Sequence, residues 1–163
     1  MLFRSAFHDL GELKEAIKYY EEDLRIAKEV ADRAGEGHAY GSLCKSYHSL
    51  LKFGRAMEFH KLHLSISKEV GDRQAQGDAF LQVADIYLSL GDLARSIEYS
   101  VESLSIAEDI GEKSGKEKAC CRLGKVNLRL GNYKPAKKYL KLHLDIAKEI
   151  GDSCGEEIGR AHV

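Results

Sequence analysis

The sequence repeats itself with a period of forty residues, and this period is the strongest constraint on the fold. Leucines, isoleucines and aromatic residues each recur at this spacing. The three sets are Leu24, Leu64, Leu104 and Leu144; Ile26, Ile66, Ile106 and Ile146; and Tyr19, Phe59, Tyr99 and Tyr139. Self-similarity at a fixed period between about 20 and 50 residues is typical of solenoids and other arrays of stacked units. The chain is therefore expected to be a repeat array rather than a globule with one central core.

Within each unit, apolar residues recur at intervals of three and four, which is the pattern of a helix with one buried face. Leu13, Ile17 and Tyr20 show this spacing in the first unit. Glycines at repeat spacing mark the helix ends, because a glycine in the left-handed conformation commonly stops a helix. The pattern predicts helices over 12–30, 35–50, 53–70, 75–90, 93–110, 115–130 and 133–150.

The repeat unit also sets the expected domain organisation. We expect a single array over 1–163, made of a partial repeat at 1–34, repeats at 35–74, 75–114 and 115–154, and a truncated helix at 155–163. Residues 1–10 would be the second half of an earlier helix, and turns are expected at Gly11 and at Gly151. The last repeat of a solenoid exposes its apolar face unless a polar helix covers it, and neither end shows such a cap. We therefore expect a segment of a larger protein, or end-to-end self-association of copies.

The charge balance argues against a partner that is bound by bulk electrostatics. Charged residues make up 31% of the chain, yet the formal net charge is −1. A nucleic-acid binder needs a basic excess, which this chain lacks. No apolar run approaches the roughly 18 residues of a membrane span, and the first residues do not resemble a signal peptide. We expect a cytoplasmic protein that binds neither nucleic acid nor membrane.

No arrangement of reactive side chains predicts catalysis or metal binding. His60 and His63 lie three residues apart with Glu58 nearby, which is a combination that metal sites use. His63 recurs as His143 at the repeat spacing, however, so a structural position explains it better. The four cysteines match no zinc-binding pattern and are interpreted as small apolar side chains in a reducing compartment. We predict no enzyme activity, no metal and no cofactor.

The unit resembles the tetratricopeptide repeat (TPR). The segments that stand where that family has L-G-x-x-Y are Leu43–Tyr47, Val83–Tyr87 and Leu123–Asn127, and those that stand where it has G-D/N-Y-x-x-A-I-x-Y are Gly91–Tyr99 and Gly131–Tyr139. The usual unit has about 34 residues and a proline near its end. The longer, proline-free unit resembles the arrays of G-protein-signalling modulators of the Pins/LGN type and of large many-repeat TPR proteins. The acidic, Gln-Arg-bearing G-protein-binding motif is missing, so that activity is not implied.

The resemblance implies an all-α fold, in which antiparallel helix pairs stack into a right-handed TPR superhelix (an α-solenoid) with a concave groove. The first helix of each pair lines the groove in that family. The implied partner-binding residues are His38, Lys45, His48, Ser49, Asp78, Asp85, Lys118, Lys125 and Arg129. Their charges alternate from basic to acidic to basic, and the small residues Gly41 and Ser49 would leave room for a bound helix or extended peptide. A chaperone-binding carboxylate clamp is not expected, because Gly41 and Cys121 stand where its basic residues would sit.

Two functions remain open at this point. The first is a protein–protein interaction scaffold, such as a signalling adaptor, that holds a peptide or helical segment of a partner in the groove. The second is a structural spacer or self-associating repeat segment without a dedicated groove ligand.

Overall fold

The computed structural model describes residues 2–161, with side chains described for 11–151. This part of the chain forms seven α-helices and no strands. They are α1 (Leu2–Glu29), α2 (Arg33–Ser49), α3 (Phe53–Glu69), α4 (Arg73–Leu90), α5 (Leu93–Asp109), α6 (Lys113–Arg129) and α7 (Tyr133–Ala161).

The helices pack as consecutive neighbours. Each of α2, α4 and α6 packs against the helix that follows it, and α1, α3 and α5 also pack against the next helix along the chain. We call α2, α4 and α6 the first helices, and α1, α3, α5 and α7 the second helices. The first helices additionally contact one another, α2 with α4 and α4 with α6. The prediction of an all-α solenoid is confirmed.

A continuous apolar spine runs between the helix pairs. Leu43, Val83, Ile86 and Leu123 are between 0% and 1% exposed. A buried side chain of this size contributes about 1.5–3 kcal/mol to stability. The spine therefore joins neighbouring units, because each unit supplies only one side of it.

The interior turns use the left-handed backbone conformation. Gly91 has a φ of +82°, and the glycines at 71, 111 and 131 are also left-handed. Ala31 and Leu51 stand at the two turns without a glycine, yet they adopt φ values of 56° and 58°. A side chain at positive φ is strained, so packing of the helices on either side must impose these two turns.

The structure differs from the sequence prediction at both ends of the array. The predicted turns at Gly11 and Gly151 are wrong, because α1 and α7 run through these residues without a break. Residues 155–161 continue α7 instead of forming a separate helix, and 162–163 lie outside the described residues. Extending a helix gains one hydrogen bond per residue, whereas a reversal is favoured only when the returning helix packs on something. Among the described residues, no atom outside the helix's own backbone lies within 4 Å of a Cβ added at either glycine.

Alanine substitutions at Gly11 and Gly91 are expected to have opposite effects. Gly11→Ala should raise the free energy of unfolding by about 0.5–1 kcal/mol, because alanine is the better helix former. Gly91→Ala should lower it by about 1–2 kcal/mol, because its left-handed backbone disfavours a Cβ. Urea denaturation of the two variants measures both. A loss of stability in Gly11→Ala would instead indicate a turn at that residue.

Two histidines are buried where α3 packs against α4. His60 and His63 are each 5% exposed. Burial lowers the pKa of His60 to about 4, and the charge of His63 acts in the same direction, while a hydrogen bond to the backbone of Ala79 opposes the change. Burial also lowers the pKa of His63, against an opposing hydrogen bond from its ring to Gln82. Both rings therefore stabilise the fold in their neutral form.

Stability should decrease on mild acidification because of His60. Its pKa is lower in the folded chain than the ordinary 6.5, so the unfolded chain binds the proton more tightly. The contribution is complete above pH 6.5 and is lost as the pH falls from 6.5 towards 4. We expect a loss of about 2 kcal/mol between pH 7 and pH 5. Thermal unfolding at several pH values measures it.

The matched variants for this experiment are His60→Leu and His38→Leu. Leucine is the residue at position 140, which is the equivalent of position 60 two units later. His60→Leu should flatten the pH dependence, whereas His38→Leu changes an exposed side chain and should leave it as it is. An unchanged slope in His60→Leu would assign the effect to other groups.

Candidate functional site

The first helices form a wall with a groove along it. One cavity of about 320 Å³ extends across α2, α4 and α6 and is lined by Cys44, Lys45, His48, Ser49, Asp78, Leu81, Gln82, Asp85, Lys118 and Arg122. A second cavity of about 370 Å³ lies towards the start of α4. The two cavities share Lys45, Asp78 and Gln82. We call their combined surface the groove.

Most of the side chains predicted to face a partner line this groove. Six of them line the first cavity, namely Lys45, His48, Ser49, Asp78, Asp85 and Lys118. His38 lines the second cavity. Lys125 and Arg129 lie on α6 but line neither cavity. Partner binding by Lys125 and Arg129 stays a prediction, and it has less geometric support than that of the seven residues that line the cavities.

A partly covered ion pair in the groove joins two neighbouring first helices. Arg122 Nη2 of α6 forms an ion pair with Asp85 Oδ1 of α4, and both side chains are largely covered, at 25% and 30% exposure. Burial raises the pKa of Asp85, while the charges of Arg122, His48 and Lys125 act in the opposite direction. Breaking a covered pair leaves one charge uncompensated, which is costly. The pair therefore holds α4 and α6 together at the floor of the groove.

Hydrogen bonds between positions 41 residues apart also connect the first helices. His48 Nε2 lies 2.9 Å from Ser89 Oγ, and Gln82 Nε2 donates to the backbone oxygen of Gly41 at 3.3 Å. Arg129 Nη1 donates to the backbone oxygen of Leu88 at 3.2 Å. Each bond crosses from one unit to the next and joins places that are one residue apart in the repeat. His48 and Arg129, predicted as partner contacts, thus already have partners within the chain.

Gly41 lines the second cavity, but the ring of His63 fills the side on which a Cβ would stand. A Cβ added at Gly41 would lie 3.0 Å from Cε1 of His63, so the imidazole already fills this space. His63 Nδ1 lies 3.2 Å from Gln82 Oε1, and Gln82 is the residue that donates to the Gly41 carbonyl. The missing side chain of Gly41 therefore lets α3 approach α2 closely. Ser49 remains exposed at the edge of the first cavity.

The predicted alternation of charge also changes once the pairs are known. Asp85 is compensated by Arg122. Lys45, Lys118 and Lys125 are exposed, and none of them forms an ion pair with the side chains described for 11–151. Asp72 and Asp78 are the half-buried acidic residues that remain at this surface, and Asp72 accepts a hydrogen bond from the backbone N–H of Ala75. The charge available to a partner is consequently more positive than the sequence suggested.

One groove-lining position was missed in the sequence. Ser42, Gln82 and Arg122 occupy the same place in three successive units, and each lines one of the two cavities. This place is one helical turn after that of His38, Asp78 and Lys118, so both lie on the same helix face. Helical spacing alone could have added it, whereas the family pattern assigns the inward face to other positions.

No helix among the described residues is long and apolar enough to cross a membrane. His143 Nδ1 and Glu117 Oε1 lie 2.8 Å apart, which gives the repeat equivalent of His63 a structural partner as well.

Comparison with known proteins agrees with this architecture. Two family profiles, both described as "Tetratricopeptide repeat", match residues 76–149 and residues 4–34. No curated protein sequence matches the chain. The solved structure described as "Crystal structure of BtubC (BKLC) from P. vanneervenii" superposes with a TM-score of 0.74 at 19% sequence identity. The alignment covers 86% of this chain and 59% of BtubC, and at this identity it shows a shared fold only. The helix pairs, the forty-residue period and the two profile matches together place the chain in the tetratricopeptide repeat family.

Proposed function

We propose that the chain binds an acidic segment of another protein in the groove formed by α2, α4 and α6. TPR repeats generally mediate protein–protein interactions. The observation that carries the proposal is the set of three exposed lysines, Lys45, Lys118 and Lys125, which have no ion-pair partner among the described side chains. Of the three carboxylates in the groove, Asp85 is paired with Arg122 and Asp72 accepts a hydrogen bond from the backbone of Ala75, which leaves Asp78 to offset the lysines in part.

The groove offers two kinds of contact to such a segment. Lys45 and Lys118 stand on α2 and α6, on opposite sides of the first cavity, so carboxylates of one segment could reach both. Charge-assisted hydrogen bonds of this kind are about twice as strong as neutral ones. Leu81 and Cys44 add an apolar lining on which a side chain of the partner can be buried. Charge would then select the partner and steer its approach, and the apolar contact would add affinity.

The inner wall is organised before any partner binds. The bonds from Gln82 to Gly41 and from His48 to Ser89 fix the spacing of α2 and α4. A binding surface that is already ordered loses less conformational entropy on binding. An extended peptide and a helix both remain compatible with the open groove.

The second candidate function is a structural spacer or self-associating segment. The observation that favours it is the same network of bonds, because structural roles already account for His48, Gln82, Asp85, Arg122 and Arg129. The three unpaired lysines distinguish the two functions, since a spacer has no need of them.

Several finer assignments belong to this proposal. We infer a relation to the Pins/LGN-type arrays from the forty-residue unit alone. TPR proteins are typically non-catalytic scaffolds, and a cytoplasmic signalling adaptor is the role that fits this chain best. Nucleic acid, membranes and cofactors have no part in the proposed function.

Charge reversal at Lys45 and Lys125 should abolish the selection of acidic peptides. A phage-displayed library of random peptides is panned against the full chain, and the most enriched peptide is synthesised. We expect the wild-type chain to enrich peptides rich in Asp and Glu, with an affinity that decreases as salt is added. Lys45→Glu with Lys125→Glu should weaken binding at least about tenfold, or about 1.4 kcal/mol. Isothermal titration calorimetry measures the affinity.

The control exchanges two lysines on second helices. Lys61 and Lys141 are exposed on α3 and α7 and occupy equivalent positions. Lys61→Glu with Lys141→Glu changes the net charge equally and should leave binding within about twofold, because distant exposed charges are screened. Neutral or basic enriched peptides, or equal losses in both double variants, would contradict the proposal. A library that yields no binding peptide would favour the spacer.

Removing the charge of Asp78 from the groove should have the opposite effect. Asp78 lines both cavities and is half-buried. Asp78→Asn keeps its shape and removes a charge that repels an acidic segment, so we expect the same peptide to bind about threefold more tightly. Weaker binding in this variant would indicate that Asp78 contacts the peptide directly.

A further inference from the structure

A second open cleft lies at the end of the array, between α1 and α2. It has a volume of about 320 Å³ and its apolar lining includes Tyr20, Ile26 and Val30 of α1 and Ala39 of α2. We call it the end cleft. Its residues differ from those of the binding groove, apart from His38 and Ser42, which also line the second cavity of the groove.

The equivalent clefts inside the array are closed. The cleft between α3 and α4 and the one between α5 and α6 each measure about 10 Å³. Ile26, in the end cleft, is 46% exposed, whereas its repeat equivalents Ile66 and Ile106 are 4% and 5% exposed. The amino acids are the same, so the difference comes from what covers them.

The cover in each interior unit is the start of a first helix with a glycine at the contact. A Cβ added at Gly37 of α2 would lie 3.1 Å from Cγ2 of Ile66, and one added at Gly77 of α4 would lie 3.4 Å from Cγ2 of Ile106. Two residues after the glycine, each of these helices has a buried alanine: Ala39 is 4% exposed and Ala79 is 0% exposed. The end cleft thus has the shape for a helix that carries glycine and alanine two residues apart.

We propose that the last turns of α7 from a second copy of this chain occupy the end cleft. The sequence Gly159-Arg160-Ala161 has the pattern of Gly37-His38-Ala39 and of Gly77-Asp78-Ala79. Gly159 would then cover Ile26 as Gly37 covers Ile66, and Ala161 would take the place of the buried alanine. The inserted helix would run in the same direction as α2, because first helices of successive units lie side by side.

The backbone of α7 projects far enough to reach another copy. Lys113 Nζ, at the start of α6, lies 3.1 Å from Glu149 Oε2 of α7, so this is where the pairing of the two helices ends. Residues 150–161 extend α7 beyond that point by about 18 Å at 1.5 Å per residue. This length is comparable to that of four helical turns, which measure about 22 Å.

Charge selects the register of the inserted helix. Glu117 stands at the position of Gly37 in its own unit, and its Oε1 lies 2.8 Å from His143 Nδ1. The equivalent of His143 in the end cleft is Asp23. A register with Glu157 at that position would bring two carboxylates together, whereas the register with Gly159 avoids this contact. Each copy then offers one tail and one cleft, which is a head-to-tail contact that can repeat.

Two interface variants and their mixture test this arrangement. Ile26→Asp places a charge in the end cleft at a residue that is already half exposed, and Gly159→Leu makes the tail too large for the cleft. The full-length wild-type chain should associate as its concentration rises in sedimentation equilibrium. Each variant alone should raise the dissociation constant at least about tenfold. An equimolar mixture should recover association, because the intact cleft of Gly159→Leu accepts the intact tail of Ile26→Asp.

The control is Val101→Asp, on α5, because Val101 is 43% exposed and β-branched like Ile26. It should associate like the wild-type chain, and circular dichroism shows that all variants keep their helices. A monomeric wild-type chain at every concentration would overturn the proposal, as would variants that associate normally or a mixture that stays monomeric. Peptide binding in the groove does not enter this measurement, so either proposal can fail without the other.

Discussion

The array depends on the close approach of a first helix to the second helix beside it. Gly37 against Ile66 and Gly77 against Ile106 show the contact directly, since a Cβ at either glycine would already be at or inside van der Waals distance. Each of these contacts lies within one repeat, and the first helix of the next repeat completes the cover of the isoleucine, through Ala75 beside Ile66 and Gly115 beside Ile106. Every unit is thus stabilised by its neighbour, as expected for a nearly one-dimensional array.

The same dependence explains how the groove acquires its charge. Helices brought this close place polar residues of successive units within hydrogen-bonding distance, as in the bonds from Gln82 to Gly41 and from Arg129 to Leu88. Polar groups that are partly covered need such partners, and the fold supplies them between neighbouring first helices. The lysines at 45, 118 and 125 stay outside this network. The groove therefore separates side chains that hold the wall together from side chains that are available to a partner.

Much of the fold could be predicted because each structural position recurs in several repeats. The isoleucine set identified the buried face even though Ile26 itself is half exposed. The helix ends near Ala31 and Leu51 were predicted from the repeat spacing, since neither residue is a usual turn former. The unbroken helices at Gly11 and Gly151 show the limit, because a glycine ends a helix only where the reversed chain finds a surface to pack on.

The site was less predictable, since it depends on contacts between units. A helical pattern places Gly41 on the inner face, but it does not show that the ring of His63 from the following helix fills the space. The sequence gives no partner for Asp85, but the fold pairs it with Arg122, which lies thirty-seven positions later. Both cases have one cause, namely that the sequence gives the face of a helix but not the reach of side chains from its neighbours.

The groove and the end cleft meet on α2, and this contact links the two proposals physically. His38 and Ser42 line both the end cleft and the second cavity of the groove. A helix seated in the end cleft would stand beside α2 as α2 stands beside α4. With Gly159 at the place of Gly37, residues up to Ala161 correspond to α2 as far as Ala39, so the tail would extend the inner wall beside the start of α2, next to His38. Because the network from His63 through Gln82 to Gly41 already fixes α2 against α3 and α4, the added helix would extend this wall without rearranging it.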